Sequence, residues 1–285
     1  MLFKIASLFT QPVSDSEIKN IVPYECNDGY VGVNFIRDLA KTKHGIYDRD
    51  PRGIGLMDSF QQLRCDLFNP DQVHPIIRDF YENTIDYKID VTPKWNLFFL
   101  PAFWLFRKVV FEKVGNANLP FDKIEACQGI TSHIDTIDFN SDSLPDLRGW
   151  IRLYTATKKV IYVGIYTTVN IDKKCYVSVG FPFQELNLTA TLAPINIKPD
   201  TLLLSSKSNK KFKYAGDYLV NIKDDQSMEV IKLKWFREEI KVYVKKDGLY
   251  TDHKFYFLKC KFLTLKYRMK KKEVQRKNEK SESFR

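Results

Sequence analysis

The sequence lacks the short motifs by which many enzymes and metal-binding proteins are recognised. Its five cysteines stand singly without a C-x-x-C pair, so neither a disulfide framework nor a zinc ribbon is indicated. No P-loop, G-x-S-x-G elbow or H-E-x-x-H motif occurs. The segment RGIG at residues 52–55 has two glycines of a dinucleotide fingerprint, but Asp58 stands where the third is needed. An acidic segment from His133 to Asp146 has the spacing of neither an EF-hand nor a zinc site. We therefore predict no metal and no cofactor.

Long apolar runs are also missing, which bears on membrane anchoring. The N-terminal stretch has a short apolar patch but not the hydrophobic region of a secretory signal. The apolar segment WNLFFLPAFWLF, residues 95–106, would span roughly 18 Å as a helix, whereas a bilayer requires about 20 residues and 30 Å. Pro101 would break such a helix, and aromatic rings lie on every side of it. Burial in the core or in a cavity wall is therefore favoured over contact with a membrane. With unpaired cysteines, a cytoplasmic location is predicted, and membrane association stays open.

Positive charge is in excess, but half of it is local. The net charge is +10, and residues 268–285 hold eight Lys/Arg and three Glu, which gives +5 from the C-terminal segment alone. A flexible, solvated basic tail at residues 269–285 is the simplest interpretation. Peripheral contact of this tail with an anionic membrane is the alternative, and nucleic acid is not the expected partner.

The character of the chain changes near residue 148. Residues 1–148 are predicted to be helical and rich in loops, with a helix near residues 71–86 that begins at Asn69 or, because of Pro75, close to His74. Residues 149–268 carry short runs of β-branched and aromatic residues with tight turns, which predict an antiparallel sheet. The expected fold is therefore α+β: N-terminal helices packed on a strongly curved antiparallel β-sheet or partial barrel, with both parts in one integrated domain.

Polar residues on the predicted helix are candidates for a binding site. His74, Arg78 and Glu82 recur every four residues and share one face, with Tyr81 beside them. An arginine in this row can hold an anionic or hydrogen-bonding group while the glutamate orients it. A solvated face with ordinary ion pairs is the alternative. His253 can point into the concave face of the sheet, or it can be a hydrogen-bonded structural residue.

The aromatic side chains of the apolar segment complete the set of predicted ligand-binding residues. These are Trp95, Phe99 and Trp104. They would form the apolar wall of a cavity whose polar contacts come from the helix. No catalytic residue is assigned from the sequence.

Several segments resemble the soluble C-terminal region of YndJ-like proteins. They are GIGLMDSFQQL, VHPIIRDFYENTIDYKIDVTPKW, NLP, PFQELNLTATLAP and TLLLSS, and the resemblance covers roughly residues 50–265. YndJ-like proteins also carry a multi-span membrane portion. The resemblance therefore implies a domain that works next to a membrane, and it implies no catalytic residues.

Taken together, the residues predict binding of an apolar or amphipathic, lipid-like small molecule between the helices and the curved sheet. One alternative is an enzyme that acts on such a molecule, with His74, Asp79, Glu82 or His253 as general acid or base. Two of these groups would then meet in a pocket. The other alternative is a peripheral membrane interaction protein.

Overall fold

Thirteen antiparallel strands join into one sheet in the computed structural model of the chain. The structure describes residues 13, 31–108, 115–183, 186–222, 227–246 and 248–272. The strands are β1 (Ile46–Arg49), β2 (Tyr87–Trp95), β3 (Ile130–Asp138), β4 (Leu147–Tyr154), β5 (Val160–Ile171), β6 (Lys174–Phe183), β7 (Leu186–Lys198), β8 (Thr201–Ser205), β9 (Gly216–Ile222), β10 (Met228–Lys232), β11 (Phe236–Lys245), β12 (Gly248–Phe257) and β13 (Cys260–Lys271). The α-helices are α1 (Phe35–Thr42), α2 (Pro75–Glu82), α3 (Leu100–Phe106) and α4 (Lys123–Ala126), and 3₁₀ turns cover Phe60–Leu63, Pro70–Gln72, Thr84–Asp86 and Leu97–Phe99.

The strand order shows that the sheet is open. It runs β1-β3-β4-β5-β6-β7-β8-β11-β12-β13-β2, and β9 pairs with both β7 and β10. The two ends of this order, β1 and β2, pair with β3 and β13 and not with each other. The described residues therefore form a single continuous sheet that does not close into a barrel.

The expected α+β architecture, with N-terminal helices packed on the sheet, is wrong. The described part of the chain is mainly antiparallel β, and its α-helices have only four to eight residues. The part before residue 148 contributes β1, β2 and β3 to the same sheet. The sequence did not indicate β3 as a strand, because its His133 and Asp135 are polar residues and yet are buried. The hydroxyl of Tyr47 on β1 donates a hydrogen bond of 2.8 Å to Asp135 Oδ2 and makes that burial possible.

Strand β2 continues past the end that the sequence indicated. Tyr87, Ile89 and Val91 are buried and alternate with exposed Lys88 and Asp90, which is the period of a strand with one wet face. A stop at Thr92-Pro93 was expected because proline cannot donate to a ladder. Since β2 is an edge strand, Pro93 is tolerated, and the pairing with β13 runs on to Trp95.

The sheet curls strongly around its inner face. Arg152 on β4 lies with its guanidinium carbon 5.0 Å from the centre of the Tyr267 ring on β13, although six strands separate β4 from β13 in the order. Inner-face residues of most strands form the largest core cluster with Phe60, Phe80 and Tyr81. On the outer face α1 packs against β4, where a Cβ on Gly149 would lie 2.3 Å from the Ile36 side chain.

Helix α2 lies inside the curl and closes it. Asn69 caps the 3₁₀ turn Pro70–Gln72, and α2 itself starts at Pro75 with His74 as its N-cap, so the later of the two predicted starts is confirmed. A Cβ on Gly55 would lie 2.1 Å from the Tyr81 carbonyl oxygen, so only glycine lets the preceding loop pack on the helix.

Two further outcomes concern the membrane and the C-terminal segment. None of the helices in the described ranges has the length and apolar character needed to cross a membrane. Strand β13 extends to Lys271, whose amine lies 2.8 Å from Asp79 Oδ2 on α2. Residues 273–285, which hold most of the predicted basic tail, lie outside the described residues.

Candidate ligand cavity

A cavity of about 280 Å³ lies between α2 and the inner face of the curled sheet. Its walls are overwhelmingly apolar and include rings from strands on both sides of the curl. Among the lining side chains are Trp150, Tyr166, Phe181, Phe236, Phe255 and Phe262. Small-molecule sites usually measure roughly 300–1,000 Å³, so this volume lies just below that range and suits a small ligand.

The two ends of the cavity differ in their access to solvent. Leu56, Phe80 and Tyr81 line it from the α2 side and are buried, so that end is closed. Trp95 and Phe103 also line it but are partly exposed, and their ring centres lie 4.1 Å apart. The indole N–H of Trp95 donates to the carbonyl of Pro120 at 3.2 Å, which fixes the ring at this entrance.

A single arginine, Arg152, sits in the apolar wall with 4% of its surface exposed. Its guanidinium carbon lies 3.7 Å from the centre of the Trp150 ring and 5.0 Å from the ring centres of Tyr162 and Tyr267. Such stacking suits a planar cation but supplies no negative charge to balance it. No carboxylate of the described residues forms an ion pair with Arg152, and its Nε has no hydrogen-bond partner there.

The tyrosines around Arg152 do not neutralise it. Burial raises the pKa of the Tyr162 hydroxyl well above its ordinary value, and the positive charge of Arg152 opposes the shift only in part. Burial likewise raises the pKa of Tyr166 and of Tyr267. These phenols therefore stay protonated at physiological pH, and Arg152 keeps an uncompensated charge.

A second polar pair lies in the same wall. His253 Nε2 and Glu238 Oε2 are 2.6 Å apart, and both residues line the cavity. The Glu238 side chain is only 4% exposed, and the His253 ring lies 4.1 Å from that of Phe255. The histidine thus holds the glutamate in place, and together they form a potential proton donor and acceptor facing the cavity.

The predicted polar row on α2 lies outside the cavity wall, apart from Tyr81 beside it. The His74 Nδ1 accepts from the backbone N–H of Ile76 at 3.2 Å as the cap of the helix. Glu82 Oε1 accepts from the backbone N–H of Phe60 at 2.6 Å. Asp79 accepts from the hydroxyl of Tyr87 at 2.5 Å. These groups and Arg78 are absent from the cavity wall, whereas Tyr81 lines it.

The apolar segment 95–106 is divided between the cavity and the surface. Phe103 points inward, but Trp104 is 50% exposed, so burial of the whole segment was a wrong expectation. Phe99 lies just outside the cavity, with its ring centre 5.8 Å from that of Phe262 and 6.4 Å from that of Phe257. The short helix α3 has one face toward the entrance and the other toward solvent.

Exposed apolar side chains surround this entrance. We call them the rim: Leu97, Phe98, Trp104, Leu105, Phe257 and Leu258. Phe98 is 84% exposed and Leu97 is 78% exposed. Leu258 and Lys259 form the tip of the β12–β13 hairpin with φ of 46° and 70°, a left-handed conformation that favours glycine or asparagine. The hairpin thus keeps a leucine in solvent where a polar turn residue would be more stable.

The chain is similar to one membrane protein of known sequence, described as the uncharacterized membrane protein YndJ of Bacillus subtilis (strain 168). The two are 23% identical over 193 residues, which is 66% of this chain and 33% of that relative. The chain is thus similar to a YndJ-like protein. The relationship predicted from the sequence is thus confirmed, although the chain spans only about a third of the length of YndJ. No family model matches the sequence, and no solved structure matches the chain.

The similarity to YndJ assigns no residue to a ligand, so the site rests on geometry. Tyr81, Trp95 and His253 were predicted from the sequence and line the cavity, whereas Arg152 and Glu238 were not predicted. A signal for Arg152 was present in the strand WIRLY, where it shares a face with Trp150 and Tyr154 at every second position. A charged residue between aromatic residues on the same face of a strand indicates a polar group in an otherwise apolar wall.

Proposed function

We propose that this protein binds an apolar or amphipathic, lipid-like small molecule in the cavity of the curled sheet. The observation that carries the proposal is the cavity itself, about 280 Å³ with almost wholly apolar walls and a partly exposed entrance. A well-packed core has few voids larger than a water molecule, so a void of this size points to an occupant. Its size suits a single-chain molecule better than a two-chain phospholipid.

Native mass spectrometry and solvent extraction of the purified protein test the proposal, followed by thermal shifts with a panel of single-chain lipids. We expect a bound or acquired lipid and a rise in Tm that saturates with lipid concentration. Val179→Phe, which places a larger side chain in the wall, is expected to weaken binding about tenfold. Val169→Phe, on β5 outside the cavity wall, is the matched control and is expected to leave binding unchanged. Absence of any lipid in both experiments would end the proposal.

A second candidate function, peripheral contact with an anionic membrane, is favoured by the rim. Exposed apolar side chains can insert among lipid headgroups, and nearby lysines can pair with anionic lipids. The exposed lysines Lys94, Lys259 and Lys261 adjoin the rim along the chain, and Lys108 Nζ lies 4.6 Å from the centre of the Trp104 ring. The description of YndJ as a membrane protein agrees with such a location. A lipid could then enter the cavity directly from the bilayer.

Sedimentation with vesicles of phosphatidylcholine, with and without phosphatidylserine, tests whether the rim contacts an anionic membrane. The protein is expected to bind the anionic vesicles, and Phe98→Ser with Leu105→Ser should reduce that binding about tenfold. Leu144→Ser removes a leucine that is 62% exposed in the loop between β3 and β4 and should change nothing. If a chain ending at residue 272 loses all binding while the rim variant keeps it, the basic tail is the membrane contact instead.

The enzyme alternative retains one pair of groups. His74, Asp79 and Glu82 are engaged in caps and hydrogen bonds away from the cavity, and they do not meet His253. His253 and Glu238 do lie together in the wall and could exchange a proton with a bound molecule. Turnover of a bound lipid that disappears in Glu238→Gln, with lipid binding retained, would favour an enzyme over a binding protein.

A cytoplasmic location remains a prediction. Cys65 and Cys175 are free thiols with their sulfur atoms 2.7 Å apart.

A further inference from the structure

We propose that Arg152 binds the anionic head of the cavity's ligand, which makes the ligand a single-chain amphiphile with a carboxylate or phosphate group. This inference rests on the proposed binding function and specifies its ligand class. The guanidinium is buried, stacks 3.7 Å from the Trp150 ring, and has no carboxylate partner among the described residues. An anionic head would supply the negative charge that Arg152 lacks, through paired N–H···O bonds.

A comparison with Arg148 on the same strand shows that burial of Arg152 without a carboxylate partner is unusual. Among the described residues, Arg148 is the other arginine with less than a tenth of its surface exposed, and it pairs with Asp58 and donates to the carbonyl of Pro145. Arginine cannot lose its charge at physiological pH, so burial without a partner is costly. Of the two buried arginines on β4, Arg148 is paired within the protein, whereas Arg152 faces the cavity.

The other ionisable groups in the wall leave the charge of Arg152 available. Tyr81, Tyr162, Tyr166 and Tyr267 are protonated phenols, because burial raises the pKa of each. Among the described lining residues, Glu238 is the one carboxylate, and its Oε2 lies 2.6 Å from His253 Nε2. A bound anion would therefore meet Arg152 with neutral hydroxyl donors around it.

The apolar remainder of the cavity accounts for the rest of such a ligand. With the head at Arg152, an alkyl chain would lie along Val177, Val179 and Leu265 toward the rings of Trp95 and Phe103 at the entrance. Burial of each methylene adds to affinity, while the arginine fixes the orientation of the molecule.

Calorimetric titration with palmitic acid, monohexadecyl phosphate, hexadecanol and hexadecylamine tests the inference on the whole chain. We expect the two anionic ligands to bind about tenfold more tightly than the alcohol, and the amine to bind most weakly. In Arg152→Gln the anionic ligands should fall to the affinity of the alcohol, whereas Arg152→Lys should retain part of the preference. Arg237→Gln removes a partly exposed arginine that stacks on Tyr256 outside the cavity, and it should change none of the affinities.

The outcomes separate this inference from the function on which it rests. Equal binding of acid and alcohol to the unaltered protein would overturn the role of Arg152 and leave lipid binding intact. A preference for anions that survives in Arg152→Gln would also overturn it. Failure of all four ligands to bind would remove both proposals. Because the comparison of ligands needs no variant, the inference stays testable even if Arg152→Gln does not fold.

Discussion

Asp217 shows how a single buried carboxyl can govern the response of the protein to pH. It is 1% exposed on β9, and neither of its carboxyl oxygens has a hydrogen-bond partner in the described part of the chain. Burial, together with the negative charge of Glu238, raises its pKa well above 3.8. The folded state therefore holds this proton more tightly than the unfolded state, and stability falls as pH rises above the ordinary pKa toward the raised one.

Asp217→Asn should remove this dependence on pH. The variant lacks the ionisable group, so its Tm should exceed that of the unaltered protein by roughly 2–6 °C at pH 8 and match it near pH 4. Thermal unfolding followed by circular dichroism across this range measures the difference. Asp66→Asn, at an exposed position, serves as the control and should show no such pattern. An equal gain at both pH values would point to packing and not to ionisation.

The cysteines should differ in reactivity according to their burial. Cys127 and Cys260 are exposed, whereas Cys175 is buried and its thiol donates to the carbonyl of Leu63 at 2.6 Å. Burial raises the pKa of Cys175, so it forms little of the reactive thiolate. Limited alkylation with iodoacetamide at pH 8 and peptide mapping should show Cys127 and Cys260 modified well before Cys175. Early modification of Cys175 would contradict the packing of the 3₁₀ turn Phe60–Leu63 on β6.

At the residue scale, three residues of the cavity wall were predictable, each from a different signal. Trp95 was predicted as part of an apolar wall, Tyr81 as a polar contact on the helix, and His253 from its place on the concave face of the sheet. Arg78 was preferred over Arg152 because helical spacing on α2 was easier to read than the alternation in a short strand. Which of several arginines faces a cavity depends on how far the sheet curls, and curling is set by contacts among distant strands.

At the element scale, caps and turns were the most predictable features, and the β12–β13 tip departs from their rules. Pro75 indicated the start of α2, and His74 caps it. By contrast, Leu258-Lys259 occupies a left-handed turn without glycine or asparagine. A turn that costs stability yet keeps leucine exposed is consistent with a role for that leucine outside the fold.

The double substitution Leu258→Asn with Lys259→Gly separates the effect of this turn on stability from its effect on membrane contact. Both new residues accept positive φ, so the free energy of unfolding should rise by about 1 kcal/mol. Urea unfolding measures this change. The same variant should bind anionic vesicles more weakly, because it removes an apolar side chain and a cation from the rim region. Higher stability with unchanged vesicle binding would exclude the tip from membrane contact.

At the scale of the whole molecule, the composition of the chain changes near residue 148, but the same sheet continues across that boundary. Strand β3 pairs with β4, and β2 pairs with β13, across that boundary. The β-rich half was predictable from its alternation. The N-terminal strands were not, because β1 has four residues and β3 carries buried polar side chains whose partners lie far away in sequence.

A fragment of residues 149–272 should therefore fail to fold. It would lack β2, β3 and α2, and so expose the edges of β4 and β13 and open the closed end of the cavity. We expect aggregation on gel filtration and no cooperative thermal transition, whereas residues 31–272 should unfold in one transition. A soluble fragment with a sharp transition would show that the C-terminal strands form an independent domain.

An open sheet must also keep its free edge from joining another molecule, and β2 has the means to do so. An unpaired edge strand is a template for strand addition between chains, which leads to aggregation. Pro93 offers no N–H to an incoming strand, and Lys88, Asp90 and Lys94 place exposed charges along the same edge. Pro93, which the sequence indicated as the end of the strand, thus protects the open edge of the sheet beside the cavity entrance from strand addition by a second molecule.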